Sequence, residues 1–196
     1  MRRTANAAPE LELVCGKNAT AVEVDTPAPA RIVALDFSLT GTGYALAGEC
    51  GVLHPPKGMV GMERIDWIRT RVLNFTSGAE LIVMEGYSYG SNDAGAREAA
   101  ELRGTIKHAW WRYNLPWTEI APTTLKLFAF GNGRAKKPDM LAAAIRKLKY
   151  EGANDDNIID ARWLLEMAIA HYSGRELLDY EKRAMKTPKW PAIAGL

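Results

Sequence analysis

Residues 31–46 read RIVALDFSLTGTGYAL. Arg31 to Phe37 is an apolar, β-branched run that carries one carboxylate, Asp36, near its end; it predicts a buried strand with a charge at its exit. Ser38 to Gly43 reads as a turn, and Thr42 to Gly48 returns as a second strand, so the two form a hairpin. The hairpin turn accounts for Gly41 and Gly43 in this reading.

Working outward, a third short strand is predicted near residues 51–54. Ile65, Ile68, Val72 and Phe75 recur at helical spacing and predict a helix over Met59–Ser77. LIVME (81–85) is a continuous apolar run, the pattern of a parallel strand covered on both faces, and it too ends in a carboxylate, Glu85. A helix over Asp93–Tyr113, a strand at Trp117–Pro122 and a short helix opening at Pro122 follow. Residues 131–137, GNGRAKK, read as a loop, with helices at Pro138–Lys149 and Asp156–Tyr172. The order β-β-β-α-β-α-β-α-α-α predicts an α/β domain over residues 30–175. Residues 1–29, rich in Ala, Pro and Thr, read as an arm, flexible or carrying an added hairpin, and 176–196 as a C-terminal tail.

The chain has 196 residues, enough for one domain with a substantial core, and 47% hydrophobic with 24% charged residues is ordinary for a globular protein. No apolar run approaches the roughly 18–20 residues that span a bilayer. The start, MRRTANAAPELELV, lacks an apolar export segment. Cys15 and Cys50 have no metal-type spacing and read as free thiols of a reducing cytoplasm. The net charge of +2 does not announce a nucleic-acid binder, but its distribution is uneven. Lys126, Arg134, Lys136, Lys137, Arg146, Lys147 and Lys149 crowd one stretch against a single acid, Asp139.

The acids carry the chemistry. Asp36 and Glu85 end apolar runs, and Asp156 and Asp160 in NDDNIIDARWLLEMA (154–168) stand one helical turn apart on one face. Taken singly, Asp36 reads as a turn former, Glu85 as an exposed strand end, and Asp155 or Asp156 as a helix N-cap. Converging, such carboxylates repel unless divalent cations neutralise them; beside a basic stretch, this is the composition of a two-metal phosphodiester-cleaving site. Oxygen-only ligands suit Mg2+ or Mn2+, not zinc. Tyr87 and Tyr89 follow Glu85 in a glycine-containing loop, where an aromatic ring could stack on a splayed base. Trp110 and Trp111 read as core or subunit interface. His54, His108 and His171 show no ligand spacing.

In this order, ALDFSLTGTGYAL, IVMEG, LKLFAFGNGRAKKPDM and NIIDARWLL resemble the RuvC family of Holliday-junction resolvases, within the ribonuclease H-like superfamily, over roughly residues 31–173. The resemblance implies a central mixed five-stranded sheet flanked by helices. It implies that Asp36, Glu85 and Asp160 bind two Mg2+ or Mn2+ ions, with Lys126 and Lys137 near the scissile phosphate. It further implies a metal-dependent endodeoxyribonuclease that resolves four-way junctions, and other branched DNA, by paired symmetric nicks. Two sites on opposite strands imply a homodimer, with the helix over 93–113 at its interface. The setting would be the cytoplasm of a bacterium, or of the bacterial host of a virus. Arg134 and Lys136 join Lys126, Lys137, Tyr87 and Tyr89 as the DNA-binding set.

One position departs from the family. Its fourth ligand stands three residues before the final Asp, where this chain has Asn157. Asp156, four residues before, lies on almost the same face and is taken as the ligand, with the Asn157 amide oxygen as the alternative. That departure also motivates a second reading, a non-catalytic protein that binds branched DNA. A third, a phosphotransferase of the actin-like class whose phosphate loop LDFSLTGTGYAL is similar to, lacks room here for the second lobe.

Overall fold

Strand β1 (Ile32–Asp36) is buried along its whole length, which suits its run of apolar residues. It lies at the centre of a five-stranded sheet of order β3-β2-β1-β4-β5. The others are β2 (Thr42–Leu46), β3 (Glu49–Leu53), β4 (Leu81–Glu85) and β5 (Trp117–Ile120). β1, β2 and β3 pair antiparallel, as the hairpin reading requires, whereas β1–β4 and β4–β5 pair parallel. The computed structural model describes residues 31–87 and 94–193. The arm read over 1–29, with Cys15, and the loop residue Tyr89 lie outside the described residues.

Each parallel step needs a crossover. Helix α1 (Gly61–Thr76) carries the chain from β3 to β4, and α2 (Ala94–Arg112) from β4 to β5. Both cover one face, where Ile65, Ile68, Val72, Leu102, Ile106 and Trp110 close over Val33, Leu35, Ile82 and Met84. Trp110 is fully buried and donates its indole N–H to Thr76 Oγ1 at 3.0 Å, while its neighbour Trp111 is 63% exposed.

The opposite face carries α3 (Pro122–Phe130), α4 (Lys137–Leu148) and α5 (Asp156–Tyr172). Pro122 opens α3, where no N–H is required, and Gly131 closes it at φ 88°, a left-handed conformation that favours glycine. α5 lies directly over β1, β2 and β4. It is apolar on most sides, because the sheet, α3 and α4 enclose it; Ile158, Ile159, Leu164, Leu165 and Met167 are all buried. Each such side chain stabilises by about 1.5–3 kcal/mol on full burial.

The structure adds two details. The stretch from 176, read as a tail, contains helix α6 (Asp179–Met185), which packs against α3. Its buried Glu181 is held by Arg175 at 3.0 Å, and its Ala184 joins the core, so a charged pair and a small apolar contact anchor this segment. Gly43 lies within β2, inside the strand expected over Thr42–Gly48, and α5 above it, more than the turn, requires the missing side chain.

Candidate active site

Strand alternation places the carboxylates. Ile32, Ala34, Leu81 and Val83 point to the α5 side of the sheet, and two-residue periodicity sends Asp36 and Glu85 the same way. Leu35 pairs with Met84 in the parallel register, so Asp36 and Glu85 leave neighbouring strands side by side. Helix α5 begins over these strand ends. Asp155 caps it, accepting from the N–H groups of Asn157 (2.9 Å) and Ile158 (3.2 Å). This resolves the choice of capping residue and leaves Asp156 and Asp160 in the first turns. The positive end of the α5 dipole therefore faces the carboxylates.

The site is short of positive charge. Burial pushes the Asp36 carboxyl well above the usual range, and the neighbouring Glu85 adds to the effect. Burial and then Asp160 raise Glu85 to about 7. Burial and then Asp36 raise Asp160 to about 7. Asp36 and Glu85 stand side by side, and their contact raises the reluctance of Asp36 to ionise. Two cations oppose this crowding. Lys126 on α3 acts on Glu85 and Asp160, and Arg103 on α2 acts on Asp36 and Glu85.

Among the described residues, no three Asp, Glu, His or Cys side chains close tightly enough around one point to hold a metal ion as they stand. The donor set nevertheless fits one. Crowded carboxyls whose pKa values are raised by burial and by one another are hard oxygen ligands lacking a counter-charge, and a divalent cation supplies that charge.

No family model matches the chain. A curated relative, the crossover junction endodeoxyribonuclease RuvC of Parasynechococcus marenigrum, is 26% identical over 143 residues, 67% of this chain and 92% of the relative. Thermus thermophilus RuvC superposes with a TM-score of 0.58 at 19% identity, over 73% of this chain and 96% of that one. The same protein in complex with a Holliday junction substrate gives 0.63 at 17% identity, over 82% and 98%. The chain has the RuvC fold. The yeast mitochondrial Holliday junction resolvase Ydc2 shares the fold more loosely, with a TM-score of 0.53 at 11% identity over 84% of this chain and 85% of that one.

Lys137, the first residue of α4, puts its Nζ 2.5 Å from Asp156 Oδ2, and this contact raises its pKa. Asp156 thus turns toward the basic loop. Asn157 instead rests on Gly43, the register partner of Asp36. Arg134 and Lys136 are exposed on the same loop, where Asp139 accepts from the Lys136 N–H at 2.8 Å. The Tyr87 ring lies against α2, 5.1 Å from the Arg103 guanidinium and 5.7 Å from Lys107 Nζ. His54 is structural, with its Nδ1 2.9 Å from the Thr40 carbonyl oxygen.

The sequence reading missed Arg103 and Lys107. Their signal was a pair of basic residues on the same helix as the buried stripe Leu102, Ile106 and Trp110. Lys107 also pairs with Glu119 of β5 at 2.5 Å.

Proposed function

We propose that this protein is a divalent-metal-dependent endonuclease of branched DNA that resolves four-way junctions by paired symmetric nicks. The observation that carries the reading is the convergence of buried Asp36 with half-buried Glu85 and Asp160, three carboxyls whose pKa values burial and mutual repulsion raise, in a RuvC-like fold. The curated relative is a crossover junction endodeoxyribonuclease, and one structural relative is bound to a Holliday junction; both support this substrate class.

In this reading Asp36, Glu85 and Asp160 hold two Mg2+ or Mn2+ ions, with Asp156 or Asn157 as the fourth group. Bound metal supplies an activated water nucleophile and stabilises the leaving oxygen. The chain's own residues do the rest. The sheet holds Asp36 and Glu85 in fixed register, and the rigid α5 presents Asp160 to them. Lys126 faces Glu85 and Asp160, a suitable place to meet the charge of a scissile phosphate. Lys137, Arg134 and Lys136 line the adjacent loop and would grip the DNA backbone. Tyr87, at the exit of β4, and Tyr89 in the sequence after it are proposed for contact with splayed bases.

Paired nicks need two sites facing opposite strands, hence a homodimer. The α2 helix offers the interface, since its last turn exposes Trp111 and the following turn exposes Tyr113. The test is a synthetic four-way junction incubated with Mg2+, with linear duplex, flap and fork DNA beside it. Wild-type protein is expected to leave symmetric nicks carrying 5′ phosphates, and Asp36→Asn to leave none. Equal cutting by Asp36→Asn, with contaminating nuclease excluded, would refute the reading.

Asn157, at the position where the family carries an acid, favours a second reading: a protein that binds branched DNA without cutting it. It predicts junction binding that is indifferent to metal and no nicks at any Mg2+ or Mn2+ concentration.

A further inference from the structure

Arg103 is a buried cation, 8% exposed, on the face of the sheet opposite α5. Its Nη2 donates to the Phe37 carbonyl oxygen at 3.3 Å, and its Nε has no hydrogen-bond partner. Among the described residues that carbonyl is the one hydrogen-bond acceptor the buried guanidinium meets, a costly arrangement unless the fold gains something by it. Its neighbours indicate what. Phe37 directly follows Asp36, and the guanidinium lies 5.9 Å from the Phe37 ring centroid. Tyr87 stands two residues after Glu85, and its ring is 5.1 Å from the same guanidinium. Arg103 therefore touches both strand exits at the points where the carboxylates leave the sheet. A cation placed only to fill the core would have no reason to meet both.

We propose that Arg103 is the positioning residue of the site, tying the exits of β1 and β4 together so that Asp36 and Glu85 stand side by side for a divalent cation. The inference rests on the nuclease reading above and deepens it. Arg103 acts through its neighbours: it holds the Phe37 carbonyl and backs the Tyr87 ring, and the carboxylates follow.

Charge and position make opposite predictions for metal affinity. A cation that merely offset the carboxylates would, once removed, leave the site more negative and bind metal more tightly. A cation that positions them would, once removed, leave the ligands splayed and bind metal more weakly.

The experiment is Mn2+ binding by isothermal titration to full-length wild type, Arg103→Met and Arg103→Lys, with nicking kcat and KM measured on the four-way junction. Arg103→Met is expected to bind Mn2+ about tenfold more weakly and to lose about 10- to 100-fold in kcat, the range for groups that orient metal ligands. Its KM for the junction is expected to stay at the wild-type value. Arg103→Lys restores charge without the planar fork and is expected to recover only part of both losses. Mn2+ binding by a folded Arg103→Met that matches or exceeds wild type overturns the proposal, whatever the cutting rate. Should Arg103→Met fail to fold, the same criterion applies to Arg103→Lys. A wild type that binds no Mn2+ removes the nuclease reading and this one together. A wild type that binds and cuts while the variants bind equally removes this one alone.

Discussion

Asn157 rests on Gly43: a Cβ placed on that glycine would lie 2.1 Å from the Asn157 carbonyl oxygen and 2.9 Å from its Cβ. Gly43 is also the register partner of Asp36. The first turn of α5 therefore touches the backbone of β2 beside the first carboxylate. The absence of a side chain at position 43 lets the start of α5 approach the sheet there.

Gly43→Ala tests that relationship. The added methyl meets backbone, which cannot swing aside, so the start of α5 must lift. Overpacking of this kind costs about 1–3 kcal/mol. The melting temperature is expected to fall, and nicking to fall further than the lost stability explains, because Asp160 moves with the helix. A Gly43→Ala protein with wild-type melting and wild-type cutting would show that the helix is positioned by other contacts.

Stability without metal has a predictable pH dependence. Asp36, Glu85 and Asp160 all bind protons more tightly in the folded chain than carboxyls do in an unfolded one, with Glu85 and Asp160 raised to about 7. Between the ordinary carboxyl range near pH 4 and about pH 7, the folded state holds protons that the unfolded state has released. These groups therefore favour folding at low pH, and that contribution disappears as pH rises through 7. In chelator, melting temperature is expected to drop from about pH 5 to about pH 8, and less steeply in Asp36→Asn. Added Mg2+ is expected to restore stability at the upper end and do little at the lower, where protons occupy the site. Identical pH profiles for wild type and Asp36→Asn in chelator would contradict the assignment.

Lys137 and Asp156 make a close ion pair, but their side chains are 76% and 39% exposed. Such a pair is worth at most about 1 kcal/mol. Lys137→Ala is thus expected to melt within a few degrees of wild type, yet to cut the junction on the order of 100-fold more slowly if the lysine serves the phosphate. The comparison to make is the melting shift against kcat on one preparation. Equal, small effects on both would reduce Lys137 to a surface pair.

Much of this arrangement was legible in the sequence, and the reason is physical. An apolar strand that ends in a carboxylate is improbable without a partner for the charge, and RIVALDF and LIVME each showed that anomaly. The order of elements from β1 to α5 followed from period and punctuation alone. Three features escaped. Arg103 sits beside a stripe of apolar residues, and its burial depends on Phe37 and Tyr87, distant in sequence. Helix α6 is short and carries few apolar residues, and its buried Glu181 is held by Arg175 and by the Leu178 N–H. The tightness at Gly43 arises from a helix that begins more than a hundred residues later, so the glycine read locally as a turn residue.

The choice between Asp156 and Asn157 can be forced by adding a charge. Asp156 already spends its carboxylate on Lys137, at 2.5 Å, whereas Asn157 lies over β2 beside Asp36, three residues before Asp160. Cation affinity rises with the number of charged ligands. If position 157 faces the metal, Asn157→Asp is expected to tighten Mn2+ binding by about tenfold. It is also expected to steepen the fall in stability at high pH in chelator, because a fourth carboxylate joins three that already repel. Asp156→Ala is then expected to leave Mn2+ affinity nearly unchanged while freeing Lys137. The opposite pattern, a large loss with Asp156→Ala and none of the gain with Asn157→Asp, would place the fourth ligand at Asp156. In that case Lys137 must release it before metal can bind, and Lys137→Ala should itself raise the affinity for Mn2+.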